Sequence, residues 1–158
     1  MRKTIFWAAA LAALAVVPLA GAAELTRDEY KARVEPICKR NTEANRRIFA
    51  GAEEEVKAGK LKAASTHFKR AVVALDKTIG QLRAVPQPTA DEAKLDKWIG
   101  YLEVESEYLG RIGKALAQGK KGKAQTLSVR LNRNSNLANN SVLAFGFDYC
   151  KLDPGRFS

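Results

Sequence analysis

The chain has 158 residues and carries 27 lysines and arginines against 17 aspartates and glutamates, which gives a formal net charge of +10 at pH 7. Its only histidine is His67 and its only methionine is Met1, which excludes a histidine-rich metal site, a C-x-x-C-H haem attachment and, after removal of Met1, methionine ligation of haem. We therefore expect no metal and no cofactor.

The first 23 residues predict a secretory signal peptide, with a short cationic start, an apolar stretch over residues 4–19 and small residues suited to cleavage after Ala22 or Ala23. A retained membrane anchor is disfavoured because a spanning helix needs about 20 apolar residues. No cysteine lies near the cleavage region to carry a lipid. We expect residues 24–158 to form one domain of formal charge +8 without a transmembrane segment, located in a periplasm, a cell envelope or the medium.

The region after the predicted signal peptide has helical periodicity throughout, and strand signals are nearly absent. Thr26 and Glu29 form a capping box at the start of the first helix, where the hydroxyl and the carboxylate would satisfy free backbone amides. Pro36 interrupts this helix. Either a kink or a short first helix followed by a second one near Pro36 would accommodate the proline.

Three more helices follow along the chain. The second is the clearest, with apolar residues at intervals of three and four from Leu61 to Leu82, and a stretch with two prolines ends it. Thr89 and Glu92 form a second capping box at the start of the third helix. A glycine- and lysine-rich turn separates the third helix from the fourth, which is expected to extend to about Gly146.

Four amphipathic helices of roughly 20 to 28 residues with short connections predict an all-α, antiparallel up-down-up-down four-helix bundle. Similar segments at Ala58-Gly59-Lys60 and Gln118-Gly119-Lys120 suggest a duplicated two-helix unit. A solenoid of the tetratricopeptide kind is the alternative, but two units are fewer than such arrays need, and its aromatic and proline positions are missing.

The two cysteines, Cys38 and Cys150, predict one disulfide that closes the bundle. In the predicted topology the start of the first helix and the end of the fourth lie at the same pole. An oxidising compartment favours the disulfide over two free thiols. A bridge across more than a hundred residues contributes about 4 to 5 kcal/mol in the chain-entropy model.

Lysines concentrate at the opposite pole, where the first and third turns would meet. This basic pole is a candidate anion-binding surface, although lysine-rich turns that only keep the protein soluble are the simpler interpretation. Sequence-specific recognition of nucleic acid is not expected, because binding motifs and stacking aromatic residues are missing. The basic pole comprises Lys57, Lys60, Lys62, Lys114, Lys120, Lys121 and Lys123.

Aromatic side chains are expected to converge at the disulfide end of the bundle. They could line a small apolar pocket, as ligand sites between bundle helices do. Packing as a filled end of the core is the favoured interpretation, because aromatic residues at helical spacing ordinarily pack. This aromatic pole comprises Tyr30, Trp98, Tyr101, Phe145, Phe147 and Tyr149.

Polar residues within the helices suggest one structural hypothesis and give little indication of catalysis. Asparagines of the fourth helix such as Asn134 are expected to pair with Asn41 or Asn45 of the first helix and to set the register. His67 is expected at an exposed or rim position. The carboxylates Glu103, Glu105 and Glu107 alternate along the third helix and form no catalytic pair, so we predict no catalytic residues.

The chain resembles uncharacterised small secreted helical proteins of high-GC Gram-positive, actinobacterial type. The resemblance rests on the signal peptide, the segment Ile37-Cys38-x-x-Asn41, a proline-bearing central turn and a glycine-aromatic-cysteine ending. It implies a fold and a compartment. We predict a non-catalytic binding or structural module that contacts an anionic wall polymer or membrane surface. A carrier of a small apolar ligand is the alternative, an enzyme is less favoured, and the oligomeric state is left open.

Overall fold

The computed structural model describes residues 24–152, and every regular element in this range is helical. This confirms the predicted all-α class with four long helices, whereas the predicted signal peptide lies outside the described residues. The long helices have 21 to 26 residues, and a six-residue helix follows the first of them. The α-helices are α1 (Arg27–Ile48), α2 (Ala52–Lys57), α3 (Leu61–Arg83), α4 (Glu92–Ala117) and α5 (Lys121–Ser141), and the short 3-10 helices are Thr89–Asp91 and Leu143–Phe145.

The predicted disulfide between Cys38 and Cys150 is present, with a Cα–Cα distance of 5.0 Å across a sequence separation of 112 residues. It attaches the segment that follows α5 to α1. Further contacts reinforce this attachment, since the Glu35 carboxylate accepts backbone N–H groups from Asp148 at 2.5 Å and from Tyr149 at 2.8 Å. The segment after α5 is therefore held covalently and by hydrogen bonds to the middle of α1, and not to its start as predicted.

Helix α4 lies between α3 and α5, and α1 packs on α3. Three contacts define the register between α3 and α4. Arg83 pairs with Glu103 at 2.7 Å, the Ser106 hydroxyl donates to Asp76 at 2.5 Å, and Phe68 closely approaches Gly113. Residues later in α3 therefore contact residues earlier in α4.

The core follows the predicted apolar stripes. Trp98, Ile99, Leu102 and Leu109 of α4 are at most 3% exposed, because α4 has neighbours on two sides. Most of the stripe of α3 is buried as well, with Leu82 fully covered, whereas Leu61 and Val72 are half-buried. Burying a leucine, isoleucine or phenylalanine side chain contributes about 1.5 to 3 kcal/mol, so these stripes supply the main driving force for folding.

Of the two predicted capping boxes, the structure contains the first and lacks the second. The capping box of Thr26 and Glu29 is confirmed, with the Thr26 N–H donating to the Glu29 carboxylate at 2.8 Å. Helix α1 continues through Pro36, which is exposed. The second capping box, at Thr89 and Glu92, is wrong. A 3-10 turn occupies residues 89–91, and Glu92 is the first residue of α4, so its side chain is not at the third helical position.

Asp91 joins the starts of α1 and α4. Its side chain is only 2% exposed, and it accepts a two-pronged contact from the Arg27 guanidinium, with Lys94 at 3.6 Å. The hydrogen bond from Arg27 is the largest cause that lowers the pKa of the Asp91 carboxyl below its usual 3.8. A carboxyl group whose pKa is lower in the folded state stabilises the fold above its unfolded pKa, and this contribution disappears as the pH falls through the folded pKa.

The first prediction concerns the Asp91 ion pair. Asp91→Asn should lower the free energy of unfolding at neutral pH, and the difference from the parent protein should shrink once the pH falls below about 4. Urea unfolding curves at a series of pH values measure this difference. Asp96→Asn is the matched control, because Asp96 is exposed and, among the described residues, accepts a hydrogen bond from Gln87 at 3.2 Å. An equal, pH-independent loss in both variants would contradict the assignment.

The second prediction concerns the disulfide. Replacing Cys38 and Cys150 together by serine should lower the free energy of unfolding by about 4 to 5 kcal/mol, because the unfolded chain loses its closed loop. Denaturant unfolding of the parent and the variant measures the change, and intact mass after alkylation without reductant checks that the parent has no free thiol. A loss below about 1 kcal/mol would contradict loop closure of the unfolded chain as the source of the stabilisation.

Candidate functional site: an apolar groove bordered by lysines

Two turns of the same geometry carry most lysines of the basic pole. Gly59, between α2 and α3, has φ +73°, and Gly119, between α4 and α5, has φ +71°. In each turn the next residue, Lys60 or Lys120, donates its N–H to the carbonyl five residues earlier, at 2.8 and 2.9 Å. This pattern is the Schellman motif, which favours glycine at the left-handed position. The similarity of the two segments in sequence therefore corresponds to the same local backbone.

An apolar groove lies beside these turns and takes its lining from α2, α3, α4 and α5 together with Phe49. Its volume is about 590 Å³, within the range of roughly 300 to 1,000 Å³ found for small-molecule sites. The lining residues are Phe49, Ala52, Glu53, Val56, Lys57, Phe68, Ile112, Leu116, Lys121, Ala124, Gln125, Ser128, Val129 and Asn132.

Apolar side chains form the floor of the groove. Ile112, Leu116 and Ala124 are 1% to 5% exposed, and Phe68 packs edge to face against Phe49 with ring centroids 5.1 Å apart. A floor that is already covered in this way contributes to the core and keeps its shape without a ligand. The groove is thus a preformed apolar surface, as most small-molecule sites are.

The border of the groove carries charge. Lys57 pairs with Glu53 at 2.5 Å, and this contact raises the pKa of Lys57 and lowers the pKa of Glu53. Both side chains are more than two-thirds exposed, so the pair contributes little to stability. Lys121 is the first residue of α5, where the helix dipole is positive and no acidic residue lies in the first turn. The described contacts give Lys121 no ion-pair partner.

The structure brings only some of the predicted basic residues to the groove. Lys57 and Lys121, from different turns, both line it. The other five lysines of the basic pole are exposed and lie outside its lining. Sequence reasoning missed the groove itself. Its one signal in the sequence is Val129, an apolar residue off the stripe of α5 that is 69% exposed in the groove wall.

The aromatic pole is largely part of the core. Tyr30, Trp98, Phe145 and Phe147 are at most 6% exposed. Their rings form a chain of contacts, with centroids 6.3 Å apart for Tyr30 and Phe145, 5.3 Å for Phe145 and Phe147, and 5.4 Å for Trp98 and Phe147.

The other two members of the aromatic pole lie nearer the surface. Tyr101 is half-buried, and Tyr149 is 43% exposed with the Lys39 ammonium 5.3 Å from its ring centroid. The aromatic pole therefore contains two kinds of residue, four that fill the interior and two that reach its edge.

A small cavity with both polar and apolar lining residues lies beneath the disulfide. It has about 30 Å³, enough for a water molecule, and its lining includes Asn41, Asn45, Trp98 and Glu105. Within residues 24–152, Asn45 Oδ1 and Trp98 Nε1 have no hydrogen-bond partner. Glu105 is 5% exposed and accepts from Ser135 at 3.3 Å. No pattern in the sequence indicates that this carboxylate, one of three alternating along α4, is buried.

The predicted pairing of asparagines between the first and fourth helices is wrong. Asn134 instead donates to the Tyr101 carbonyl of α4 at 2.9 Å, because α5 packs mainly on α4. Asn139 donates to the Leu152 carbonyl and accepts the Leu152 N–H, both at 2.8 Å. Polar residues of α5 therefore fix its position on α4 and hold the segment that follows the disulfide.

His67 is more buried than the sequence suggested, with a side chain 15% exposed. One ring nitrogen contacts the Ile48 carbonyl, and the other lies 3.1 Å from the Glu55 carboxylate. The residue thus connects α3 to the end of α1 and to α2. These contacts give it a structural role beside the groove.

Two further observations apply to the part of the chain that the structure describes. Between residues 24 and 152, histidine, cysteine, aspartate and glutamate side chains form no group of three or more that could hold a metal ion. None of the described helices combines the length and the apolar character needed to cross a bilayer.

Comparison of the chain with protein-family models, with curated proteins and with solved structures finds no match. The resemblance to actinobacterial secreted proteins therefore stays a prediction, and inferences about function depend on the residues of this chain.

The third prediction tests the close packing under the groove. A Cβ at Gly113 would lie 3.0 Å from Phe68 Cβ and 3.4 Å from the Ser65 carbonyl, so Gly113→Ala should push α3 from α4 and cost about 1 to 3 kcal/mol. A Cβ at Gly100, on the same helix, meets nothing within 4 Å, so Gly100→Ala should stabilise by up to about 1 kcal/mol through helix propensity. Thermal and urea unfolding measure both changes. Equal effects in the two variants would refute the close approach.

Proposed function

We propose that the protein is a non-catalytic binding and structural module that contacts anionic partners through the basic pole. The observation that carries this proposal is the position of Lys57 and Lys121, which come from two different turns and border the same groove. Lysines that only keep a protein soluble need no such common position. A preformed cleft with cations at its edge is what recognition of a negatively charged partner requires.

The architecture we propose for this module is an antiparallel up-down-up-down bundle. Successive contacts run toward the end of α3 and toward the start of α4, as described for Phe68, Asp76 and Arg83. The contact of His67, near the start of α3, with Ile48, at the end of α1, fits the same arrangement. In such a bundle the two Schellman turns lie at one pole, whereas the disulfide joins the middle of α1 to the segment after α5, so that binding and covalent closure are separated.

We further propose that the protein works outside the cytoplasm, in a periplasm, a cell envelope or the medium. The disulfide supports this compartment, because disulfides persist in oxidising environments. The predicted signal peptide points in the same direction. Wall polymers and the headgroups of anionic lipids are the polyanions that a basic protein meets there, and both present carboxylate or phosphate groups to lysines.

A carrier of apolar ligands at the aromatic pole has less support. Four of the six aromatic side chains there are buried against one another, and the neighbouring cavity has only about 30 Å³. Small-molecule sites usually have roughly 300 Å³ or more. The larger apolar volume of the described chain lies at the lysine-bearing groove, so the basic pole is the better candidate for binding.

The fourth prediction is that the protein binds anionic polymers and surfaces in a salt-dependent manner. Binding to anionic wall polymer, to vesicles of an anionic phospholipid and to duplex DNA should weaken steeply as salt rises, because exposed charges are screened. The double variant Lys57→Gln, Lys121→Gln should reduce the slope of log affinity against log salt on DNA by about two. Equilibrium binding measured across a salt series provides both numbers.

The matched control for this experiment is the double variant Lys77→Gln, Lys97→Gln. These lysines are exposed on α3 and α4 and lie outside the groove lining, so the net charge changes equally while the basic pole stays intact. The control should keep most of the affinity of the parent protein. Equal losses of affinity in both double variants would show that binding depends only on net charge. No binding to any of the anionic partners at low salt would refute the proposed function.

A further inference from the structure

The groove combines an apolar floor with a positively charged border, and binding of a polyanion would use the border alone. Its floor is hydrocarbon from Phe68, Ile112, Leu116 and Ala124, while ammonium groups lie at its border. A polyanion such as DNA or a wall polymer would contact the border and leave the apolar interior of the groove empty. An occupant that matches the whole surface needs a hydrocarbon part and an anionic part within one small molecule.

We propose that the apolar groove binds a single-chain anionic amphiphile, with its hydrocarbon chain on the floor and its carboxylate, sulfate or phosphate head beside Lys121 and Lys57. This inference rests on the proposed function, because it identifies the partner of the same basic pole. The volume of about 590 Å³ suits a ligand of this size and leaves no room for a large folded partner within the groove.

The charges at the border favour an anionic head. Lys121 is available without breaking a described ion pair, and the exchange of Glu53 for a ligand anion at Lys57 costs little because both side chains are exposed. The anion would also lie near the first turn of α5, where the N-cap residue Lys120 makes no side-chain cap. Free N–H groups and the positive end of the helix dipole act in the same sense as the lysines.

Charge also argues against a second copy of the chain as the occupant. Two copies that joined through this groove would bring two basic poles together, and like charges at an interface oppose association. The apolar floor would favour such a dimer, but the border would oppose it. An anionic amphiphile satisfies both parts of the groove.

The fifth prediction is a chain-length series. Saturated fatty acid anions from octanoate to hexadecanoate, each used below its micelle concentration, should bind about fourfold more tightly for each added methylene until the groove is filled. A long-chain alcohol of equal length should bind more weakly than the anion. Isothermal titration of the purified protein, with size-exclusion chromatography of the complex, measures affinity and reveals any dimer.

Matched variants separate the two chemistries. Ser128→Phe places a ring in the groove and should abolish the dependence on chain length, whereas Thr126→Phe, on the exposed face of the same helix, should not. Lys121→Gln should weaken binding of the anion about two- to fivefold, with no effect on the alcohol. Lys123→Gln, two residues further along α5 and outside the lining, is its control. Circular dichroism verifies that Ser128→Phe is folded, and the lysine variants test the proposal independently.

The outcomes distinguish the two proposals. Salt-sensitive binding to polymers without any dependence on chain length would overturn the amphiphile and leave the anion-binding function in place. Equal affinity for alcohol and anion would overturn the role of the lysines. Dimerisation that competes with the amphiphile at Ser128 would assign the groove to a second copy. No binding of either class would refute both the inference and the proposed function.

Discussion

The packing of α4 between α3 and α5 is the constraint on which both ends of the molecule depend. Trp98 at one end of α4 completes the aromatic pole, and Ile112 and Leu116 at the other end form the floor of the groove. The close approach of Phe68 to Gly113 fixes the spacing of α3 and α4 beneath that floor. A shift of α4 along its axis would therefore disturb the core near the disulfide and the groove together.

Polar contacts determine how α5 lies on α4. Glu105 and Ser135 meet in the interior, and Asn134 is bonded to a main-chain carbonyl of α4. Buried polar groups are costly without partners, so another register of the two helices would leave these side chains unsatisfied. The apolar stripes alone would tolerate a shift by one turn. Specific register thus comes from a few polar side chains in a core whose stability comes from apolar ones.

The sequence predicted features that depend on local patterns and missed those that depend on packing partners. Apolar spacing gave the four long helices, and two cysteines allowed one intramolecular pairing. The false capping box at Thr89 looked valid locally, but the 3-10 turn and the contact of Asp91 with Arg27 start α4 two residues later. The buried carboxylate of Glu105 and the groove arise from side chains brought together across helices, which no single periodicity contains.

The starts of α1, α3 and α5 differ in charge, and this difference gives an energetic reason why the basic pole would bind an anion. Helix α1 begins with Asp28 and Glu29 and a complete capping box, which is the favourable arrangement at the positive end of a helix dipole. Helices α3 and α5 have the lysines Lys60 and Lys120 as N-cap residues, with no acidic residue in the first turn and no side-chain cap. Each cation near such a terminus is unfavourable by about 0.3 to 1 kcal/mol. An anion bound beside these lysines would reverse the sign of that interaction, so that binding stabilises the helix starts that the chain itself leaves uncapped.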